Sequence, residues 1–123
     1  MKRMKLIFFV GVNPATDTGP LAAAYRFASA AAVAEVDAEV RLAGDAVFAA
    51  DPAFVATVRG AADLRSRIDS AHEGGVDVSV CPRSTERRGI NDEQVAAIGA
   101  RARPLSEILV EVAEGRSVLV HLG

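Results

Sequence analysis

The sequence predicts an α/β fold with three layers, α/β/α, around a mainly parallel sheet of about five strands. Three observations lead there. Short runs rich in Val, Ile, Leu and Phe alternate with longer alanine-rich or amphipathic stretches. That alternation builds a parallel sheet with helices on both faces through right-handed crossovers. The first run, Lys5 to Val12, is apolar on both of its faces, as a central strand of such a sheet requires. Half of the 123 residues are hydrophobic but only 5% are aromatic, so small and branched aliphatic side chains make the core and allow close helix–sheet contact. The length suits one domain over residues 1–123.

Asn13 to Pro20 form a loop by composition. Asp17 or Thr18 suits the cap of the helix that follows, and Pro20 suits its first turn. Leu21 to Val36 is that helix. Leu21, Ala24, Tyr25, Ala28 and Ala32 lie along one face, and Phe27, Ala30, Ala31 and Val33 cover much of the rest. Arg26 and Glu35 are its only charges. A helix laid on a sheet normally keeps a polar outer face, so either alanine is tolerated at this surface or a second subunit covers it, and the composition favours the second.

Ala38 to Ala43 is a second strand, with Val40 and Leu42 on one face, closed by Gly44-Asp45. Ala46 to Ala50 is expected as an apolar loop against the sheet edge. Asp51-Pro52 starts a short helical segment holding Phe54 and Val58, and Gly60 interrupts it. Ala61 to His72 resumes as a helix, with Leu64, Ile68 and Ala71 inward and Asp63, Arg65, Arg67 and Asp69 outward. Gly74-Gly75 ends it.

Val76 to Val80 is the third strand. It runs into Cys81, the only cysteine, and Pro82 stops its ladder. Arg83 to Ile90 reads as a polar loop. Asn91 or Asp92 caps a short helix through Ile98, with Gln94 completing a capping box. Gly99 to Arg103 is a connector with room for a very short strand. Pro104 opens a last helix with Leu105, Ile108, Leu109 and Val112 inside, and Gly115 ends it. Val118-Leu119-Val120 is the final strand, followed by His121.

Composition excludes several functions. A net charge of −2 gives no electrostatic footprint for nucleic acid. A single cysteine makes no internal disulfide and fits a reducing cytoplasm. Met1-Lys2-Arg3 before Leu6 to Val12 resembles a secretory leader, but Asn13-Pro14 breaks the run and no cleavage site follows, so it reads as a buried strand. No stretch suits a membrane span. His72, His121 and Cys81 stand too far apart for a zinc motif, and neither metal nor cofactor is expected. The loop from Gly11 to Gly19 has neither a Walker lysine nor Rossmann glycine spacing.

Chemistry in a parallel sheet gathers at the carboxyl ends of the strands. Cys81 stands at such an end. Asn13, Thr18, Asp45 and His121 are candidate lining residues of the same edge. Arg83, Arg87 and Arg88 follow Cys81 closely, and guanidinium charge favours the nucleophilic thiolate over the thiol. Arg83, Ser84, Arg88 and Gly89 are the expected surroundings of a sulfur anion, with backbone N–H groups of the Ser84-Thr85 turn adding to them. Gly89 serves either as a turn residue or to let backbone approach the thiol.

The stretch Cys81-Pro82-Arg83-Ser84-Thr85-Glu86-Arg87-Arg88-Gly89-Ile90, entered from a Val-rich strand, resembles the cysteine loop of the DsrE/TusD sulfur-relay family, also called DsrE/DsrF-like. There a cysteine precedes a short loop ending in Arg-Gly and a β-branched residue, then a helix opening with acidic residues. Here Arg88-Gly89-Ile90-Asn91-Asp92-Glu93 fills that pattern. The Phe8-Phe9-Val10 strand, the alanine-rich helix, Gly44-Asp45-Ala46-Val47 and the terminal strand fall in family order. The resemblance implies a small domain of Rossmann-like or flavodoxin-like appearance that assembles as a trimer or hexamer. It also implies that Cys81 is a sulfur-accepting nucleophile, carrying persulfide between a donor and an acceptor protein. Pro82 is a departure, because it has no N–H to offer a persulfide anion.

Two functions follow as expectations. One is a persulfide carrier or sulfurtransferase working on Cys81 alone; a dithiol cycle would need a second cysteine. The alternative is a non-enzymatic oligomeric binding module with a small-ligand or peptide pocket at the carboxyl edge.

Overall fold

In the computed structural model, which describes residues 4–123, the chain runs through β1 (Lys5–Val10), α1 (Gly19–Val33), β2 (Ala38–Leu42), a 3₁₀ helix (Gly44–Ala50) and α2 (Pro52–Val55). It continues through α3 (Ala61–Glu73), β3 (Asp77–Val80), α4 (Pro82–Arg87), α5 (Asp92–Ala97), β4 (Ala100–Ala102), α6 (Leu105–Ala113) and β5 (Ser117–His121). Met1-Lys2-Arg3, the charged start of the leader-like stretch, lie outside the described residues.

Every ladder is parallel, and the strand order is β4-β3-β2-β1-β5. The predicted parallel sheet of five strands flanked by helices is therefore what the chain forms. The apolar first run becomes β1, hydrogen-bonded on both sides. Right-handed crossovers step from β1 to β4 in one direction, which places α1 to α5 and the 3₁₀ helix on one face. The return from β4 to β5 carries α6 across the other.

The first face holds the main core. Phe8, Val10, Val40, Leu42, Val78 and Val80 of the sheet meet Leu21, Ala24, Tyr25 and Ala28 of α1 and Leu64, Ile68 and Ala71 of α3. Side chains alternate along strands, so Ile7, Glu39, Arg41 and Ser79 point to the opposite face. All four are completely buried there. The second layer is thus a polar interior beneath one nine-residue helix.

Several predicted elements are corrected. Ala46 to Ala50 is the end of a 3₁₀ helix, whose buried Ala46, Val47, Ala49 and Ala50 join the core. Arg83 to Ile90 is not a loop: α4 occupies Pro82–Arg87, because proline fits the first helical position, and Gly89, at φ +68°, turns the chain out of it. In α1 the buried stripe ends at Ala31, and Ala32 is exposed. In α6 only Ile108 is buried; Leu105, Leu109 and Val112 face outward. The surface below α6 is charged, so the helix turns Glu111 toward it instead of its leucines. The capping box between Asn91 and Gln94 forms as predicted.

Candidate functional site

Cys81 closes β3 and starts α4. Its backbone N–H donates to the Leu42 carbonyl at 3.0 Å, which continues the ladder by one residue. Alternation then puts the side chain on the same face as Ser79 and Arg41, toward α6. The thiol is half-buried. It lies in an open cleft of about 800 Å³ between α4 and the start of α6, whose walls include Arg83, Glu86, Arg87, Pro104 and Leu105.

The immediate surroundings of the sulfur favour its anion. Burial pushes the Cys81 thiol up, but the Ser84 hydroxyl, the N–H groups of Ser84 and Arg83 and the charge of Arg41 together hold it below the ordinary thiol value. The first turn of α4 folds those amides back onto the sulfur, which makes good the N–H that Pro82 lacks. Ser84 is itself held: its Oγ accepts a hydrogen bond from Gly44 N–H at 2.9 Å, leaving its own proton free for sulfur.

The residues predicted from sequence fall into three groups. Ser84, Arg88, Asp45 and Asn13 form one chain behind α4. Arg88 Nε donates to Asp45 Oδ1 at 2.8 Å, Arg88 Nη1 donates to the Ser84 carbonyl at 3.1 Å, and Asn13 Nδ2 reaches Asp45 Oδ2 at 3.5 Å. Arg88 therefore anchors α4 to the 3₁₀ helix after β2 and does not face the cleft. Arg83 and Arg87 are exposed at the cleft mouth. Gly89, Thr18 and His121 stand apart. Gly89 lies beyond the far end of α4, where nothing approaches within 4 Å of a would-be Cβ. Thr18 precedes α1 without a side-chain capping bond, and Asp17 takes the Gly19 N–H instead. His121 stacks on Phe9 at 5.3 Å, on edge strand β5.

The guanidinium beside the sulfur is one that sequence reading missed. Arg41 is the next-to-last residue of β2, paired with Ser79. A signal was present, since Glu39-Val40-Arg41-Leu42 alternates charged and apolar residues in a strand buried on both faces. Glu39 belongs to the same polar layer. Its carboxylate takes Lys5 Nζ at 2.9 Å, Arg103 Nη2 at 3.1 Å and Ser79 Oγ at 2.6 Å. Burial alone would raise Glu39, but those bonds outweigh it and hold the carboxylate below its usual value. Glu111 of α6 completes the layer with Lys5 at 3.0 Å, Arg103, and Ser117 at 2.9 Å.

Among the described residues, no three or more His, Cys, Asp or Glu side chains cluster in a way that would hold a metal ion. None of the helices described is long and apolar enough to cross a membrane.

The DsrE/DsrF-like family matches the chain over residues 4–120. No curated protein matches it. Among solved structures, the chain is similar to the conserved protein of unknown function BT1422 from Bacteroides thetaiotaomicron. The identity is 16%, over 95% of this chain and 93% of that one, with a TM-score of 0.68. It is also similar to the ychN protein from E. coli, at 16% identity over 98% of this chain and 99% of that one, with a TM-score of 0.57. Likeness at this identity bears on the fold alone.

Proposed function

Because the chain belongs to the DsrE/DsrF-like family, we propose that it is a cytoplasmic sulfur-relay protein in which Cys81 accepts, holds and passes on one sulfur atom. The observation that carries this reading is the Cys81 environment: a half-buried thiol in an open cleft, with hydroxyl, amide and guanidinium groups all favouring the anion. The thiolate attacks the outer sulfur of a donor persulfide. The donor's S–S bond breaks, its thiolate leaves, and Cys81 becomes a persulfide that keeps the negative charge. An acceptor thiolate then attacks the outer sulfur and releases the Cys81 thiolate. One cysteine in this chain suffices, because donor and acceptor proteins bring their own.

The working form in this reading is a homo-oligomer, a trimer or hexamer. Exposed apolar side chains support it: Leu105, Leu109, Val110 and Val112 on α6, Leu119 on β5, and Phe27 and Val33 on α1. A second reading, a binding module, draws on the cleft itself, whose volume of about 800 Å³ falls in the range of small-ligand sites.

Intact-protein mass spectrometry after incubation with a low-molecular-weight persulfide separates the two. The relay reading expects the wild type to gain the mass of one sulfur atom, reversibly with an acceptor thiol, and Cys81→Ser to gain none. An unmodified wild type, or equal loading of both proteins, defeats the relay and leaves the binding module.

A further inference from the structure

Arg41 is fully buried, and among the described residues no carboxylate forms an ion pair with it. Its Nη1 donates to three neutral acceptors: Ser79 Oγ at 3.3 Å, the Val80 carbonyl at 3.4 Å and the Arg103 carbonyl at 2.5 Å. Its Nε and Nη2 have no hydrogen-bond partner. Among the described residues no carboxylate lies within 4.0 Å of it; Glu39 is engaged by Lys5, Arg101, Arg103 and Ser79. Guanidinium does not shed its proton in proteins, so it does not escape burial by turning neutral. A buried cation of this kind is strongly disfavoured unless an anion faces it.

Register supplies the candidate. Arg41 pairs with Ser79, and Cys81 stands two residues further along that strand on the same face. Diagonal neighbours at this spacing lie within reach of a long side chain. The charged groups of the other adjoining elements are otherwise placed. Arg83, Glu86 and Arg87 of α4 stand exposed around the cleft, while Lys5 of β1 and Arg103, just after β4, are taken up by Glu39 and by Glu111 of α6.

We propose that Arg41 is the counter-ion of Cys81, its free Nε and Nη2 nitrogens holding the sulfur anion and making the site selective for states of Cys81 that keep a negative charge. The persulfide part of this inference rests on the relay reading; the thiolate part does not. Loading a sulfur atom leaves the charge in place, so the ion pair survives it. A mixed disulfide with the donor would remove the charge and strand Arg41 in the interior. The pairing therefore works against that dead end and in favour of passing sulfur on. Arg41 acts through Cys81 and is a positioning residue.

The first test is the pH profile of Cys81 alkylation. Arg41→Met should move the profile up by a unit or more and slow alkylation at neutral pH about tenfold, with Arg41→Lys recovering part of the loss. An unmoved profile in a folded Arg41→Met protein overturns the proposal. The second test needs no variant. Iodoacetamide and iodoacetate leave adducts of nearly equal size on Cys81, one neutral and one anionic. The neutral adduct should lower Tm relative to the anionic one, and equal Tm values overturn the proposal. Neither test uses a sulfur donor. Failure to load sulfur would sink the relay alone, and failure here would sink the Arg41 pairing alone.

Discussion

Tyr25 lies in the main core with its hydroxyl buried and without a hydrogen-bond partner. Burial pushes its ionisation far up, so the group stays neutral, but a neutral hydroxyl also loses its bonds to water on folding. Tyr25→Phe removes that unmet group while keeping the ring. The variant should be more stable by about 1 kcal/mol, read as a higher denaturant midpoint with an unchanged slope. A lower midpoint would mean that the hydroxyl is bonded after all. At this scale legibility was uneven. Cys81 was readable because a proline directly behind a Val-rich strand fixes where the strand ends. Arg41 was not singled out, because an arginine within a strand has no partner visible in sequence: Ser79 and Cys81 come roughly forty positions later and meet it only through register.

The elements show why α6 differs from its predicted orientation. Helical periodicity put Leu105, Ile108, Leu109 and Val112 together, and an apolar sheet face would have drawn them in. The actual face carries Glu39, Arg41, Ser79 and the buried Arg103, so Ile108 and Glu111 turn inward. Burial would raise the Glu111 carboxyl, but hydrogen bonds from Arg103, Lys5 and Ser117 outweigh it and lower it to about 2, from an ordinary 4.5. A lowered carboxyl stabilises the fold fully above its unfolded value and loses that contribution as pH falls toward the folded one. Glu111→Gln should therefore be less stable at neutral pH by on the order of 2–3 kcal/mol. The gap should close as pH approaches about 2, where the wild-type carboxyl is itself protonated. Urea titrations of both proteins across that range read it directly; a gap independent of pH would remove Glu111 from the role. The misread Pro82–Arg87 segment has a simpler cause. Proline ends a strand and opens a helix with equal ease, and sequence alone did not choose.

The whole molecule is lopsided. One face of the sheet carries most of the helices over an aliphatic core, and the other carries a single helix over ion pairs. Alternation of element types was enough to foresee a parallel sheet with both faces covered. It was not enough to foresee the strand order, because each crossover can step either way along a sheet. The apolar outer surfaces of α6 and α1 bear on assembly. Light scattering should give a mass well above the 12.8 kDa of one chain, and Leu109→Asp with Val110→Asp should bring it down toward that value. A wild type that runs as a monomer at micromolar concentration would remove the homo-oligomer from the proposed function.

The place of β5 has one more consequence. It is the last strand of the chain, yet it is laid against β1, the first. As a nascent polypeptide leaves the ribosome, β1 must wait with one flank bare until Ser117 to His121 emerges. During that interval its unpaired amides and carbonyls offer a template to any passing strand. A prematurely terminated product would retain that adhesive edge and is the form of this protein expected to aggregate.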